Sequence, residues 1–392
     1  VRLEHLLLQD FRSFDRLDLT LTGQVNVFVG NNAEGKTNAL EAVYLLATGR
    51  SHRAVRDRDL VRWGAEAYRV SGRFTRPTGA LQVEMAFSTR GQKVLRLNGV
   101  PKRRLSEIIG QARVVLFAPE DLELVKGSPE IRRRYIDLQL AQVSPAYYHH
   151  LAAYHRVLQQ RNRLLKNGAQ ADETGLEAWD DKLVEHGAEV IRRRRLALAR
   201  ISPWAREAQR QVSGGEEELA ISYQSSLSGD AGQSGRDPES EIAAEDEVGA
   251  EPLEEIARAF HRRLERLRVA EQERQVTLVG PHRDDLGLRV NGQEARRFAS
   301  QGQQRTVALA LKLAEVEHLK TDDGDPPLLL LDDVLSELDE RRRGLLLQTV
   351  GRVQTIITGT DPAPLSGRLA ADVAFYTVAK GAIVPHKGGP LP

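Results

Sequence analysis

The chain is 392 residues long with a formal charge of +1, 41% hydrophobic and 28% charged residues, a composition that suits a water-soluble protein of two structural units. It has no cysteine, which excludes disulfides, thiolate metal sites and cysteine nucleophiles and fits a reducing cytosol. No apolar run reaches the ~18 residues of a membrane span, and Arg2, Glu4, His5 and Asp10 interrupt the opening, so a cytoplasmic protein without membrane segment or leader is expected.

Strand-like patterns cover Leu3 to Leu8, Arg16 to Leu21, Val25 to Val29, Tyr68 to Phe74, Ala80 to Phe87 and Lys93 to Leu97, with a turn at Asn98-Gly99. From about Pro129 the period becomes helical: Ile131, Tyr135 and Leu138, then Tyr147, Leu151, Tyr154, Leu158 and Leu165 line one face. A helix is expected from Trp179 to Val212, broken or kinked near Pro203, and another from Leu253 to Arg274. Between them Gly214 to Pro252 is rich in Gly, Ser, Asp and Glu, and about 228–250 reads as a mobile acidic loop. Strand character resumes at Val276 to Val279, a charged turn runs from Gly280 to Leu286, and Asn291-Gly292 signals a hairpin. Gln301 to Lys320 and Arg341 to Val350 read as helices, Leu328 to Leu331 and Thr355 to Thr358 as strands. The pattern predicts a discontinuous domain, 1–117 with 275–392, and an inserted helical lobe, 118–274, compact because sustained heptads are absent.

Two motifs carry chemistry. Gly30-Asn31-Asn32-Ala33-Glu34-Gly35-Lys36-Thr37 follows a β-like run and opens a helix-like one, the setting of a phosphate-binding loop. Its glycines let successive N–H groups converge on phosphate oxygens, Lys36 brings a point charge, and the Thr37 hydroxyl suits a Mg²⁺ ion. The continuous run Leu328 to Leu331 suits a parallel strand buried on both faces, which delivers Asp332-Asp333 to its carboxyl end, where ligands of such sheets gather. Asp332 is then a Mg²⁺ carboxylate and Asp333 the group that orients or deprotonates the attacking water. A polar strand end or a helix cap is the other reading of the pair.

Ser300-Gln301-Gly302-Gln303-Gln304 precedes a helix, where a hydroxyl and free N–H groups receive either phosphate oxygens or only the helix's own cap. One head already has a phosphate loop, so a second such loop is most useful capping the nucleotide of another copy. Charge is unevenly spread: residues 214–255 hold thirteen acidic residues and one arginine. The chain has 46 arginines and ten lysines, and clusters such as Arg132-Arg133-Arg134, with Arg283 on its turn, are candidates for DNA phosphate or ordinary solvated and capping positions. Tyr147-Tyr148-His149-His150 with His155 lacks a carboxylate or cysteine to complete a metal set and reads as a packing face.

These motifs together resemble ABC-type ATPase heads and, within them, the RecF family of bacterial DNA-repair proteins. The resemblance is carried by the P-loop with Asn38, by Leu8 to Phe14, Phe117 to Pro129, Arg132 to Asp137, Gly280 to Leu286, and Asp332 to Asp339, and covers almost the whole chain apart from the acidic loop. It implies an α/β fold, a P-loop ATPase head with an antiparallel β subdomain and an inserted helical lobe. It implies a recombination mediator that binds ATP, Mg²⁺ and double-stranded, gapped or single-stranded DNA, and that with RecR and RecO helps load RecA in repair and replication restart. Slow, DNA-stimulated ATP hydrolysis and an ATP-dependent homodimer are also implied. In that scheme Ser300, Gln301, Gly302 and Gln303 form a trans-acting signature, and Ser336 to Asp339 crosses the dimer seam. Two departures from the wider ABC pattern stand out: Asp333 replaces the longer glutamate, and no histidine follows Thr355 to Thr358, leaving Thr358 or Thr360 to stand in. Glu120 or Asp121 is a candidate for the missing Mg²⁺-sensing glutamine. A clamp in which ATP sets only the dimerisation state is an alternative; a transporter ATPase fits less, because Lys36 and Ser300 lie far apart in sequence.

Overall fold

The computed structural model describes residues 1–167, 173–228, 251–320, 326–361 and 372–386, so the acidic stretch 229–250 lies outside the described residues. The chain forms two compact units, Val1–Asp121 with Glu315–Pro392, and Leu122–Ala314. Strands are numbered along the chain.

In the first unit an antiparallel sheet has the order β2-β1-β4-β5-β6-β7, built from β1 (Arg2–Phe11), β2 (Phe14–Thr20), β4 (Ala67–Arg76), β5 (Gly79–Ser88), β6 (Lys93–Leu97) and β7 (Val100–Lys102). Alternation puts Leu6, Leu8 and Phe11 of β1 and Leu17 and Leu19 of β2 inside, with Leu6 opposite Leu19 and Leu8 opposite Leu17. Asn98 and Gly99 both have positive φ (51° and 78°), the requirement of a tight two-residue hairpin between β6 and β7.

The second sheet of this unit has the order β15-β14-β3-β13-β12-β8, comprising β3 (Val25–Val29), β8 (Val114–Phe117), β12 (Leu328–Asp332), β13 (Thr355–Gly359), β14 (Val373–Ala379) and β15 (Ala382–Pro385). All neighbours are parallel except the edge pair β14 and β15. Leu328 to Leu331 are all buried, as a parallel strand covered on both faces requires. Helix Lys36–Thr48 contacts strands of both sheets, which explains why nearly its whole circumference is buried. Gly49 ends it at φ 72°, donating its N–H to Leu45 O as a left-handed cap.

The second unit contains helices Glu123–Lys126, Pro129–Val143, Pro145–Lys166, Glu173–Ser213 and Leu253–Arg274, the start of helix Gln301–Leu319, and the sheet β11-β10-β9, where β9 is Leu219–Gln224, β10 Asp285–Val290 and β11 Gln293–Glu294. Three sequence expectations change here. Helix Glu173–Ser213 runs without a break through Pro203, which removes the break, though not the kink, expected there. Strand β9 emerges from the Gly- and Glu-rich stretch because Ile221 and Leu219 face inward opposite Leu288 and Val290. Val276 to Val279 is not a strand: its backbone is satisfied by other groups, with Thr277 N–H bonded to Asn162 Oδ1 (2.8 Å) and Leu278 N–H to Glu271 Oε1 (2.8 Å).

An apolar cluster of Tyr154, Val157, Leu183, Val184, Phe260, Leu264 and Val279 joins three of these helices to the following turn. Beside it lies Arg161, fully buried, donating to Asp180 Oδ1 (2.6 Å), Glu271 Oε2 (2.7 Å) and Thr277 Oγ1 (2.9 Å). Such a network is stable only while every member is paired. Arg161→Met should therefore lower stability by about 3–5 kcal/mol, because buried Glu271 loses its guanidinium partner and Asp180 keeps only the bond from Arg268 (2.9 Å). Thermal unfolding checks this; an unchanged midpoint would show that the network carries little of the stability.

Candidate functional site

The first unit brings the P-loop and the paired carboxylates to one sheet edge. β13 lies between β3 and β12, so that Phe28, Thr358 and Asp332 sit side by side at the carboxyl ends of three parallel strands. Residues 30–35 leave β3 from this edge and enter the helix at Lys36, so the loop, the helix amino terminus and Asp332 share one rim.

Within the loop Asn31, Asn32 and Ala33 are exposed, Ala33 has φ 67° and Gly35 φ 108°. A side chain at position 30 would put Cβ 2.2 Å from Val378 O, and at position 35 would meet Ser13 Oγ at 2.8 Å. Gly30 is thus demanded by the neighbouring strand, and Gly35 by the opening turn as well as by its φ. The Lys36 ammonium folds back onto the loop, donating to Gly30 O (2.5 Å) and Asn31 O (2.9 Å). Burial lowers its pKa, opposed by the charges of Asp333, Asp332 and Glu34. Asn38 donates to Ser13 Oγ at 2.9 Å, and Glu34 accepts from Lys380 N–H, fastening the loop at both ends.

Asp332 is the centre of the site. Its Oδ1 accepts from Thr37 Oγ1 (2.9 Å) and Thr358 Oγ1 (2.8 Å). Thr358 Oγ1 in turn accepts from Asp333 N–H at 3.0 Å. Burial raises the Asp332 pKa; the two hydroxyls oppose this, and the Glu120 charge adds to it. Asp333 takes a left-handed conformation (φ 53°), and its carbonyl accepts from Ser336 Oγ at 2.8 Å. Asp339 caps helix Glu340–Val350 by accepting from Arg342 N–H (3.0 Å), and Ser336 and Asp339 are both exposed. Asp121 accepts from Ala118 N–H (2.9 Å).

Two oxygens of a threonine and an aspartate, close together beside a lysine, form a hard-donor set. The Thr37 hydroxyl donates its hydrogen bond to Asp332 and keeps its lone pairs for a cation, so the pair suits Mg²⁺ that is also held by phosphate oxygens. Among the described residues there is no cluster of three or more His, Cys, Asp or Glu side chains able to hold a metal alone.

In the second unit Ser300 is exposed at the amino end of helix Gln301–Leu319. Its Oγ accepts from Gln303 N–H (3.2 Å) and its N–H donates to Gln303 Oε1 (2.8 Å), a reciprocal capping box. The cap holds Ser300 and Gln303 in a fixed geometry, while Gln301 and Gly302 remain exposed. The arginine candidates divide. Arg132 is buried, forked onto Asp285 (2.7 Å twice) and bonded to Gly127 O (3.0 Å), so its guanidinium is committed within the unit and withdrawn from any phosphate. Arg133 is half-buried and donates to Asp284 O (2.7 Å), Arg134 is exposed, and Arg283 is exposed while donating to Thr277 O (3.1 Å). His282 accepts or donates with Tyr154 OH at 2.6 Å, and burial lowers its pKa to about 3, so it is a neutral packing group.

Sequence reasoning missed Glu41, which lies fully buried in the P-loop helix. Arg12 forks onto it (2.8 Å twice) and Ser51 Oγ donates to it (2.5 Å), tying the first turn of the chain and the loop after the helix to that helix. The signal was present as a lone carboxylate inside the apolar stretch Ala39 to Ala47.

The family model described as RecF/RecN/SMC N terminal domain matches residues 2–366. The DNA replication and repair protein RecF of Symbiobacterium thermophilum is 45% identical, with 97% of this chain and 98% of that protein covered; the protein of the same name from Bacillus subtilis is 39% identical, with 97% and 99% covered. The chain belongs to the RecF family. Two solved structures, described as the recombination mediator protein RecF with ATPrS and with ATP in the RecFOR pathway, match at TM-scores of 0.86 and 0.87, 32% and 31% identity, and 98% coverage of both chains. The Pyrococcus furiosus Smc head domain, at 16% identity and TM-score 0.54, shares the fold alone. The architecture is therefore the ABC-type ATPase head seen in RecF and SMC proteins. No helix among the described residues is long and apolar enough to cross a membrane.

The tightness around the P-loop of this RecF-family chain gives a paired test. Gly30→Ala should destabilise by about 1–3 kcal/mol, since a backbone carbonyl must move. Gly344→Ala, in an open helical position, should instead stabilise by up to about 1 kcal/mol. Melting temperatures that move in the same direction would contradict the steric account.

Proposed function

We propose that this protein is an ATP-dependent, DNA-binding recombination mediator whose head binds ATP with Mg²⁺ and dimerises around the nucleotide. The observation that carries the reading is the hydrogen-bonded set Thr37, Asp332 and Thr358 at the strand ends, beside Lys36 on its loop. Family membership and the relatives described as RecF with ATP support it.

In this reading the N–H groups of residues 30 to 38 cradle the phosphates and Lys36 exchanges its two loop carbonyls for phosphate oxygens, regaining in charge pairing what it loses in burial. Mg²⁺ would be held by Thr37 and Asp332, supplying charge neutralisation to the phosphates. Asp333 orients the attacking water and accepts its proton as the terminal P–O bond breaks, releasing ADP and phosphate. Thr358 bonds both Asp332 and Asp333 N–H, and so links the metal carboxylate to the water-facing residue where other ABC proteins use histidine. Aspartate is one methylene shorter than the usual glutamate, which suits slow turnover serving as a timer. Ser300, Gln301 and Gly302, exposed on a capped helix start, with half-buried Gln303, would finish the pocket of a second copy, with Ser336 and Asp339 at the seam.

Double-stranded, gapped or single-stranded DNA, with RecR and RecO as partners for RecA loading in the cytoplasm, completes the proposal. Arg134 and Arg283 are the exposed candidates for phosphate contact, with Arg133 partly available. A second reading, a clamp whose turnover is incidental, draws on the same short Asp333. Asp333→Asn separates them: prolonged DNA residence with loss of repair supports the timer, and unchanged repair supports the clamp.

Lys36→Ala should abolish both nucleotide binding and ATP-dependent dimerisation. Ser300→Arg should keep nucleotide binding within a few-fold and abolish dimerisation. Sedimentation with and without ATP measures both, and equal dimer formation by Ser300→Arg and the natural chain would refute trans capping.

A further inference from the structure

The loop between the P-loop helix and β4 has a feature that nucleotide chemistry does not use. Trp63 is 97% exposed and Val55 is 96% exposed, the two most exposed large apolar side chains described. An indole left in water is costly surface, since an aromatic side chain of this kind buries about 150–250 Å² where it is packed. Single exposed apolar residues are common on protein surfaces, so exposure alone decides nothing. The bracing of this one does.

Trp63 occupies the corner of a tight turn in which Ala65 N–H bonds Arg62 O (2.9 Å) and Gly64 has φ 86°. Arg62 on its one side is clamped by Asp10 (2.7 Å) and Asp15 (2.9 Å), and its N–H bonds Asp10 O (2.8 Å). Upstream, Ser51 is anchored to Glu41 and its Oγ caps Arg53 N–H (2.9 Å) and Ala54 N–H (2.7 Å). The ring is thus held out on a rigid base, which reduces the entropy lost when a partner docks on it.

The surrounding charge selects the partner. From Arg50 to Trp63 the chain has five arginines and two aspartates, and Asp57 is occupied by Lys93 at 2.9 Å. Arg50, Arg56 and Arg58 are exposed and form no ion pair with a described residue. Arg58 lies five positions before Trp63, at most about 18 Å of extended chain, so one short strand can lie across both. Guanidinium groups that bind phosphate, next to a free aromatic face, describe a site for nucleic acid in which at least one base is unstacked.

We infer that Trp63 stacks on an unpaired base of bound DNA, with Arg56 and Arg58 on the flanking phosphates, so that this loop reads the single-stranded side of a gap junction. The inference rests on the DNA-binding reading and assigns it a specific contact. Intact duplex presents no free base face to the indole, so the loop contributes little there.

The test uses the three tryptophans of the chain. Trp179→Phe with Trp204→Phe leaves Trp63 as the sole reporter. Gapped duplex should quench its emission and shield it from acrylamide, and blunt duplex should do neither. In the otherwise natural chain, Trp63→Ala should weaken binding to gapped duplex by on the order of tenfold, the loss of one base stack, and leave blunt-duplex affinity unchanged. Trp63→Phe should restore most of it, and because the side chain is exposed neither change should alter the melting temperature. DNA that binds with unchanged affinity to Trp63→Ala, or that leaves Trp63 open to acrylamide, overturns the stacking contact while the DNA reading stands. Absence of DNA binding by the natural chain overturns both. Shielding that appears only when RecR is added overturns the contact in favour of a protein interface.

Discussion

One carboxylate holds the nucleotide side of this molecule together. Asp332 emerges from a strand with no exposed residue, and the cost of keeping its charge there is met by two hydroxyls on the same oxygen, from the P-loop helix and from the neighbouring strand. The two hydrogen bonds join pieces of chain separated by 295 and 26 positions. They also leave the carboxylate with raised proton affinity beside a lysine with lowered proton affinity, a pair that a metal–phosphate group would satisfy better than the protein satisfies it alone.

The same principle, a buried charge fixed by its partners, organises the second unit. Arg161 pairs with Asp180 and Glu271, Arg132 with Asp285, and Arg194 with Asp137. Each forked guanidinium ties helices or turns distant in sequence, and each is too well paired to be replaced by lysine without loss of geometry. The arginine richness of the chain therefore reflects internal scaffolding as much as any polyanion surface. What remains for phosphate is the exposed subset, which concentrates attention on loops such as the one bearing Trp63.

The local motifs were legible because their chemistry is local. Gly30, Gly35, Lys36 and Thr37 are adjacent in sequence, and a continuous leucine strand leading to two aspartates announces its own burial. The hairpin turns at Asn98-Gly99 and Asn291-Gly292 were legible for the same reason, since positive φ selects those residues. Short or context-dependent elements were not. Val114 to Phe117 is four apolar residues whose period cannot distinguish strand from helix, and it becomes a strand only by pairing with Leu328 to Leu331. Arg132 belongs to a charge run that resembles a solvated face, and only Asp285, 153 positions later, makes it part of the core. Thr358 could be named from its place at the end of a strand, but its link to both aspartates depends on the order of strands in the sheet.

The most direct test of the central claim is a structure of the full chain with ATP and Mg²⁺ on a gapped duplex. The account predicts two copies, with Thr37 and the Asp332 carboxylate at the metal, Lys36 on the phosphates, and Ser300 of the partner subunit against the terminal phosphate. A single copy that encloses ATP by itself, or a dimer in which Ser300 faces solvent, would contradict it.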